Sequence, residues 1–253
     1  MRIAILMTNT DESEFATRHP KDGDKWCKLL SPKRPDWTFT VYNVKDGDFP
    51  QDMSQHDGWI ITGSPASVHD GTPWIVDLLA LIRDINACRA PLFGACFGHQ
   101  AIAMALGGSV GTNPNGWVFG ATETQITAPP SWMRARRIWQ YAAHIEQVTT
   151  LPDEAQIIMS HPGCPVGGMA IGDHVFTTQN HPEMTDKFIA ALVEELAESK
   201  PKDVIERARS SLKLGADNSI FADWILKFFE IERSTARRNQ PAINQGPPKD
   251  PSP

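Results

Sequence analysis

The sequence predicts an α/β protein, with a mainly parallel sheet, helices on both faces and a small antiparallel extension. Three observations carry this. Short apolar runs of strand length alternate with an amphipathic helical run through the first hundred residues, as in βαβ crossovers. The apolar run from Pro91 stops at a glycine and passes directly into a helical run from Gln100. Beyond Gly107-Gly108 the texture changes to short alternating stretches that suit antiparallel pairing.

In chain order, Ile3 to Met7 reads as a first strand, too short for the apolar region of a signal peptide. Asn9 to Pro35 has little periodicity and predicts a loop with one helix around Trp26 to Leu30. Strands are expected at Thr38 to Val44 and Trp59 to Thr62. Thr72 can then cap a helix with Pro73 at its first position, and Trp74, Ile75, Leu78, Leu79, Ile82 and Ile85 form its apolar stripe. The Pro91 strand completes the crossover.

Later strands are expected at Gly116 to Thr127, Ala155 to Ser160, Met169 to Ile171 and His174 to Thr178. Arg134, Arg136 and Arg137, beside Trp132, Trp139 and Tyr141, read as a solvated basic face. Thr185 caps a helix with Phe188, Ile189, Leu192, Val193 and Leu196 on one side. A second helix runs from Asp203 to Leu214 and stops at Gly215. A third runs from about Asn218 to Arg238, and its stripe of Ile220, Phe221, Trp224, Ile225, Phe228 and Phe229 reads as core packing, with a partner interface as the other option.

Composition narrows the function classes. With 253 residues, 41% of them hydrophobic, and a net charge of −6, the chain is an ordinary soluble globular protein with no electrostatic footprint for nucleic acid or an anionic membrane. No apolar run approaches the roughly 18 residues of a membrane span. Cys27, Cys88, Cys96 and Cys164 are scattered without Cys-x-x-Cys spacing, which suggests neither a zinc site nor a disulfide framework. A reducing cytoplasm is the expected compartment.

Cys96 lies at the corner of Gly94-Ala95-Cys96-Phe97-Gly98, between the Pro91 strand and the next helix. Glycines two residues before and two after permit the sharp turn of a nucleophile elbow, with cysteine in place of serine. The sulfur should stand exposed at a helix N-terminus, where free N–H groups favour the reactive thiolate. A cysteine nucleophile needs a base, an orienter and oxyanion donors. Asn180-His181-Pro182-Glu183 follows one predicted strand and so lies on the same rim, with His181 as base and Glu183 as orienter. His99 is too close to Cys96 along the chain to face it, whereas His144 and His161, in the irregular region, remain competing bases. Gly63 and Ser64 end another strand, and the backbone N–H of either, with that of Phe97, is the expected oxyanion donor pair.

These motifs together resemble the class I glutamine amidotransferase domain of the Cys-His-Glu type, as found at the front of GMP synthetase. Further matches are Gly63-Ser64-Pro65 with Ser67-Val68, Ala105-Leu106-Gly107-Gly108, Asn113 to Gly120, and His144 to Val148 leading to Leu151-Pro152. The resemblance covers about residues 1 to 197 and implies a flavodoxin-like fold. It implies attack by Cys96 on a side-chain amide, a γ-glutamyl thioester and its hydrolysis, without a cofactor or metal. Gln100, Gly116, Trp117 and Val118 would lie by the glutamyl group. Two departures stand out: Gly63-Ser64-Pro65 where synthetase-linked members often read Gly-Gly-Pro, and His144-Ile145-Glu146 where many carry an Asp.

The expected organisation is a catalytic domain over 1–199, a C-terminal helical extension over 200–240 and a proline-rich, disordered tail over 241–253. No Gly-x-x-x-x-Gly-Lys phosphate loop occurs. The expected function is therefore hydrolysis of a small γ-glutamyl amide, of glutamine or of a γ-glutamyl amine or peptide. The alternative is a glutaminase subunit delivering ammonia to a separate ATP-dependent synthetase, with the C-terminal helices as the interface to it or to a second copy.

Overall fold

The computed structural model describes residues 1–239. The chain begins β1 (Arg2–Leu6), α1 (Glu14–Thr17), α2 (Asp22–Leu30), β2 (Thr38–Tyr42), β3 (Gly58–Ile61), α3 (Pro73–Ala87), β4 (Leu92–Ala95) and α4 (Phe97–Ala105). It continues β5 (Ser109–Thr112), β6 (Val118–Ile126), β7 (Arg137–His144), β8 (Glu146–Thr150), β9 (Ala155–His161), β10 (Cys164–Ile171) and β11 (Val175–Thr178). Helices α5 (Asp186–Glu195), α6 (Lys202–Ser211) and α7 (Asn218–Asn239) follow.

Nine strands form one sheet in the order β2-β1-β3-β4-β11-β10-β9-β6-β7, and β5 pairs with β8 in a separate ribbon. The five strands from β2 to β11 are mutually parallel. From β10 onward the pairing is antiparallel. This is the expected α/β architecture, with Cys96 and the residues after β11 at the carboxyl ends of adjacent strands.

Strand alternation divides the core into two apolar layers. Ala4, Leu6, Trp59, Ile61 and Leu92 face α3 and α4, while Ile3, Ile5, Ile60, Phe93 and Ala95 face α2 and α7. The aromatic stripe of α7 belongs to the second layer: Phe221 stacks on Phe176 at 5.5 Å, and Phe229 lies so close to Gly58 that a Cβ there would be 2.7 Å from its ring. Of the expected stripe, Ile220 is exposed instead. Trp224 and Phe228 are only 3% and 2% exposed. These two side chains are thus covered by the chain's own sheet and cannot serve as the partner surface expected of the C-terminal helices.

A third cluster packs α5 and α6 against β6 and β7. Gly120, at φ +94°, lets α6 approach closely, since a Cβ there would lie 2.9 Å from Ala208 Cα. Thr185 caps α5 by accepting from the Phe188 amide, as expected, but Thr72 makes no side-chain cap at α3. Arg134, Arg136 and Arg137 are exposed.

His144 ends β7, in a stretch where no strand was expected, and His161 ends β9 one residue beyond the expected Ala155 to Ser160 strand. The alternation of β7 was obscured because its buried positions include the polar Gln140, which accepts from Asn180 Nδ2 inside the sheet. The expected disordered tail, 241–253, lies outside the described residues. Among the described residues, no helix is long and apolar enough to cross a membrane.

Candidate active site

Cys96 joins β4 to α4 at φ +49° and ψ −106°, a conformation that costs a non-glycine residue about 1–3 kcal/mol. Surrounding contacts hold it there: its N–H donates to Thr178 O at 2.9 Å, and its carbonyl accepts from the Gln100 amide at 3.1 Å. The flanking glycines are required by packing as well as by the turn. A Cβ on Gly98 would run into the Ile61 carbonyl and lie 2.8 Å from Ile61 Cβ, and one on Gly94 would lie 2.7 Å from the Gly98 carbonyl carbon. The sulfur-bearing residue is 6% exposed, more enclosed than the sequence suggested, because the end of β3 and the segment after β11 close over it.

His181 Nδ1 meets Glu183 Oε1 at 2.8 Å, both side chains buried. The backbone N–H of His181 donates to Tyr141 O at 2.8 Å, so the antiparallel half of the sheet positions the ring. Gly63 supplies the space for it: a Cβ there would be 2.8 Å from His181 Cε1 and 3.6 Å from Cys96 Cβ. Burial disfavours the imidazolium, but the charges of Cys96 and Glu183 and hydrogen bonding to both outweigh it and hold His181 well above the usual histidine range. His181 Nε2 is buried without a partner of regular hydrogen-bond geometry, which leaves it free for a reacting group beside the sulfur.

Two further residues were missed by sequence reasoning. Gln179 donates through Nε2 to Cys96 Sγ at 3.7 Å and accepts through Oε1 from Gln100 Nε2 at 3.3 Å. It is two residues before His181, so in extended chain the two share a face, a signal that period-two reading of the rim could have used. Thr8 is the other: its Oγ1 lies 3.1 Å from the carbonyls of both Thr62 and Gly63, which share its one proton, and its N–H donates to Thr62 Oγ1 at 3.0 Å. Nothing in the local sequence links Thr8 to a residue 55 positions away.

A family model for glutamine amidotransferase class-I matches residues 36–190. The chain belongs to that family. The chain is 25% identical over 227 residues to gamma-glutamyl peptidase 3 of Arabidopsis thaliana, covering 85% of this chain and 86% of the relative. It is 28% identical over 246 residues to a glutamine amidotransferase-like protein of Schizosaccharomyces pombe, covering 89% and 97% of the two chains. Its fold matches a glutamine amidotransferase structure from Thermotoga maritima with a TM-score of 0.71 at 17% identity, over 90% of this chain and 98% of that one.

Within this member of the family the structure gathers Cys96, His181, Glu183 and Gly63 at one point, with Phe97 opening α4 beside them and Ser64 half-buried in the loop after β3. Gln100 is buried and committed to protein partners: its Nε2 donates to Glu146 O at 2.9 Å as well as to Gln179. Glu146 in turn accepts from Ser67 Oγ at 3.0 Å. Gly116, at φ +79°, turns the chain into β6. Trp117 and Val118 line a cleft of about 630 Å³ together with Trp139, His161 and Gly163, and neither Cys96 nor Gln100 forms its wall. His99 points away, bonded through Nδ1 to Thr177 Oγ1 at 2.8 Å. His144 and His161 lie side by side on the antiparallel strands, their rings 6.3 Å apart, while the Glu183-bound imidazole is that of His181.

Proposed function

We propose that this chain hydrolyses a γ-glutamyl amide bond through a thioester on Cys96. The observation that carries the reading is the strained Cys96 elbow beside a buried imidazole whose far nitrogen is held by a carboxylate at 2.8 Å. In the first step the Cys96 thiolate attacks the amide carbon. The imidazolium of His181 gives its Nε2 proton to the leaving nitrogen, so a C–S bond replaces the C–N bond and ammonia or an amine departs. In the second, His181 takes a proton from water, the resulting C–O bond replaces C–S, and glutamate leaves. Glu183 fixes the tautomer in both.

Charge on the tetrahedral oxygen needs two aimed N–H groups. A trans peptide points its N–H opposite its carbonyl, so anchoring the Gly63 carbonyl on Thr8 fixes the direction of the Ser64 N–H. This supports Ser64, with Phe97, as the donor pair over Gly63. Of the expected glutamyl contacts, Gln100 is assigned a positioning role through the backbone and amide network that it braces, whereas Trp117 and Val118 line a cleft that neither Cys96 nor Gln100 walls. The catalytic unit is assigned to residues 1–199, with α6 and α7 as its helical extension. Four free cysteines support a reducing cytoplasm as its compartment.

The name of the Arabidopsis relative supports a γ-glutamyl amine or peptide as substrate. Purified protein mixed with glutamine, γ-glutamyl amines and γ-glutamyl dipeptides should release glutamate from at least one non-glutamine member, and Cys96→Ala should not. Turnover confined to glutamine and raised only by an added ATP-using synthetase would assign the glutaminase-subunit role instead. No turnover across the set would contradict both.

A further inference from the structure

Cysteine spacing along the sequence suggests no metal site, since no two cysteines are paired at Cys-x-x-Cys distance. Folding brings three other residues together: His144 at the end of β7, His161 at the end of β9 and Cys164 at the start of β10. One ligand atom from each, two imidazole nitrogens and a sulfur, lie within 4.8 Å of one another, and all three side chains are buried. His161 and Cys164 are directly paired across a hairpin whose turn is Pro162-Gly163. This His-x-x-Cys tip gives the same two-residue offset that metal-binding knuckles use between cysteines, and for the same reason: a tight turn aims both side chains at one point.

Each imidazole has a buried nitrogen that no protein group uses, and for His144 the tautomer is fixed. Nε2 of His144 and Nε2 of His161 are both buried without a hydrogen-bond partner. His144 Nδ1 lies 3.0 Å from the Glu146 carbonyl, which can only accept, so Nδ1 carries the proton and Nε2 the lone pair. A backbone carbonyl in that position is the usual outer partner of a metal-bound histidine. The hairpin tip is itself pinned, since Asn113 Nδ2 donates to Gly163 O at 2.9 Å.

We propose that His144, His161 and Cys164 form a three-ligand site for a Zn²⁺-type transition-metal ion, with its fourth position open towards the cleft that His161 lines. Two nitrogens and a sulfur suit Zn²⁺ and exclude Mg²⁺ and Ca²⁺, which take oxygen. Zn–N bonds of about 2.0 Å and a Zn–S bond of about 2.3 Å at tetrahedral angles place ligand atoms roughly 3.5 Å apart. The cluster therefore tightens by about 1 Å on binding, within reach of side-chain rotation. Cys164 Sγ now donates to Val166 O at 3.4 Å. On binding, the S–H bond is exchanged for S–Zn while the proton passes to solvent. None of the three ligands belongs to the Cys96–His181–Glu183 set, so the proposal stands apart from the hydrolytic one.

The test uses the full chain, stripped with a chelator and titrated with Zn²⁺ or Co²⁺ against a chromophoric competitor. One equivalent should bind, and Co²⁺ should give a thiolate-to-metal charge-transfer band with tetrahedral visible bands. The band should persist in Cys96→Ala and vanish in Cys164→Ser, while His161→Gln should weaken binding at least about tenfold, the loss that even outer partners of a metal cause. Should Cys164→Ser fail to fold, His161→Gln and Cys96→Ala decide the matter. Absence of stoichiometric binding, a band that survives Cys164→Ser, or one lost with Cys96→Ala, which would place the metal on the catalytic pair, overturns the proposal.

Discussion

The side-chain amide of Gln179 donates to the sulfur of Cys96 at 3.7 Å, and its other end is held by Gln100. A donor to a thiolate stabilises the nucleophile before substrate arrives. Replacing Gln179 with Leu removes the donor and leaves Gln100 without its side-chain acceptor. Loss of one charge-assisted hydrogen bond, about 1.5 kcal/mol or more, should slow alkylation of Cys96 at neutral pH by about tenfold or more and lower kcat/KM in parallel. An unchanged alkylation rate would remove Gln179 from the account.

Gly98→Ala should be costly because its new methyl meets backbone, which cannot rotate away: the Ile61 carbonyl and, at 2.8 Å, Ile61 Cβ. Overpacking of this kind costs about 1–3 kcal/mol and should also displace the elbow, so urea unfolding and activity should fall together. Gly47→Ala is the contrast. Gly47 has φ +81° but open space around its Cβ position, so that variant should lose only about 1 kcal/mol and keep its activity.

The raised affinity of His181 for its proton gives a pH prediction. Burial works against the imidazolium, and the charges of Cys96 and Glu183 overcome it. Activity should therefore decline on the basic side as the Cys96–His181 pair loses that proton, with an apparent pKa that belongs to the pair. Glu183→Gln removes one of the supporting charges. Its basic limb should move to lower pH, and kcat should fall by about 10²-fold or more through the lost orientation. A limb that stays in place would contradict the role assigned to Glu183.

His99 should make the fold sensitive to acid. Its burial lowers its pKa to about 3, against an unfolded value of about 6.5, so the unfolded chain takes up the proton first as pH falls. Stability is then full above about pH 6.5 and is lost towards pH 3, by up to about 1.4 kcal/mol per pH unit from this one group. In chelator-treated protein, the urea midpoint should drop over that range, and His99→Gln should flatten the slope by about one proton. Parallel curves for the two proteins would assign the acid sensitivity elsewhere.

The elbow and the base were legible because each depends on local chain. Gly94, Cys96 and Gly98 form one turn, and His181 and Glu183 are two residues apart at the end of a strand. The α7 stripe was legible as core because Phe221, Trp224, Ile225, Phe228 and Phe229 repeat at helical spacing. What stayed hidden depends on register between distant strands. Thr8 reaches the Gly63 carbonyl only because β1 and β3 are parallel neighbours. The Asn180 Nδ2 group is held by Thr124 and Gln140, and the polar Gln140 also concealed the alternation of β7. The approach of His144 to His161 and Cys164 follows from the order β10-β9-β6-β7, which no local pattern specifies.

The central claim is that a γ-glutamyl group passes through the sulfur of Cys96. Its most direct test is to mix the protein with a γ-glutamyl substrate, quench in acid within the first turnovers and map the adduct by peptide mass spectrometry. A glutamyl thioester on the peptide carrying Cys96, absent from Cys96→Ala and accumulating under conditions that slow its hydrolysis, is the predicted result. Glutamate release that continues undiminished in Cys96→Ala, or a glutamyl adduct on a different residue, would contradict it.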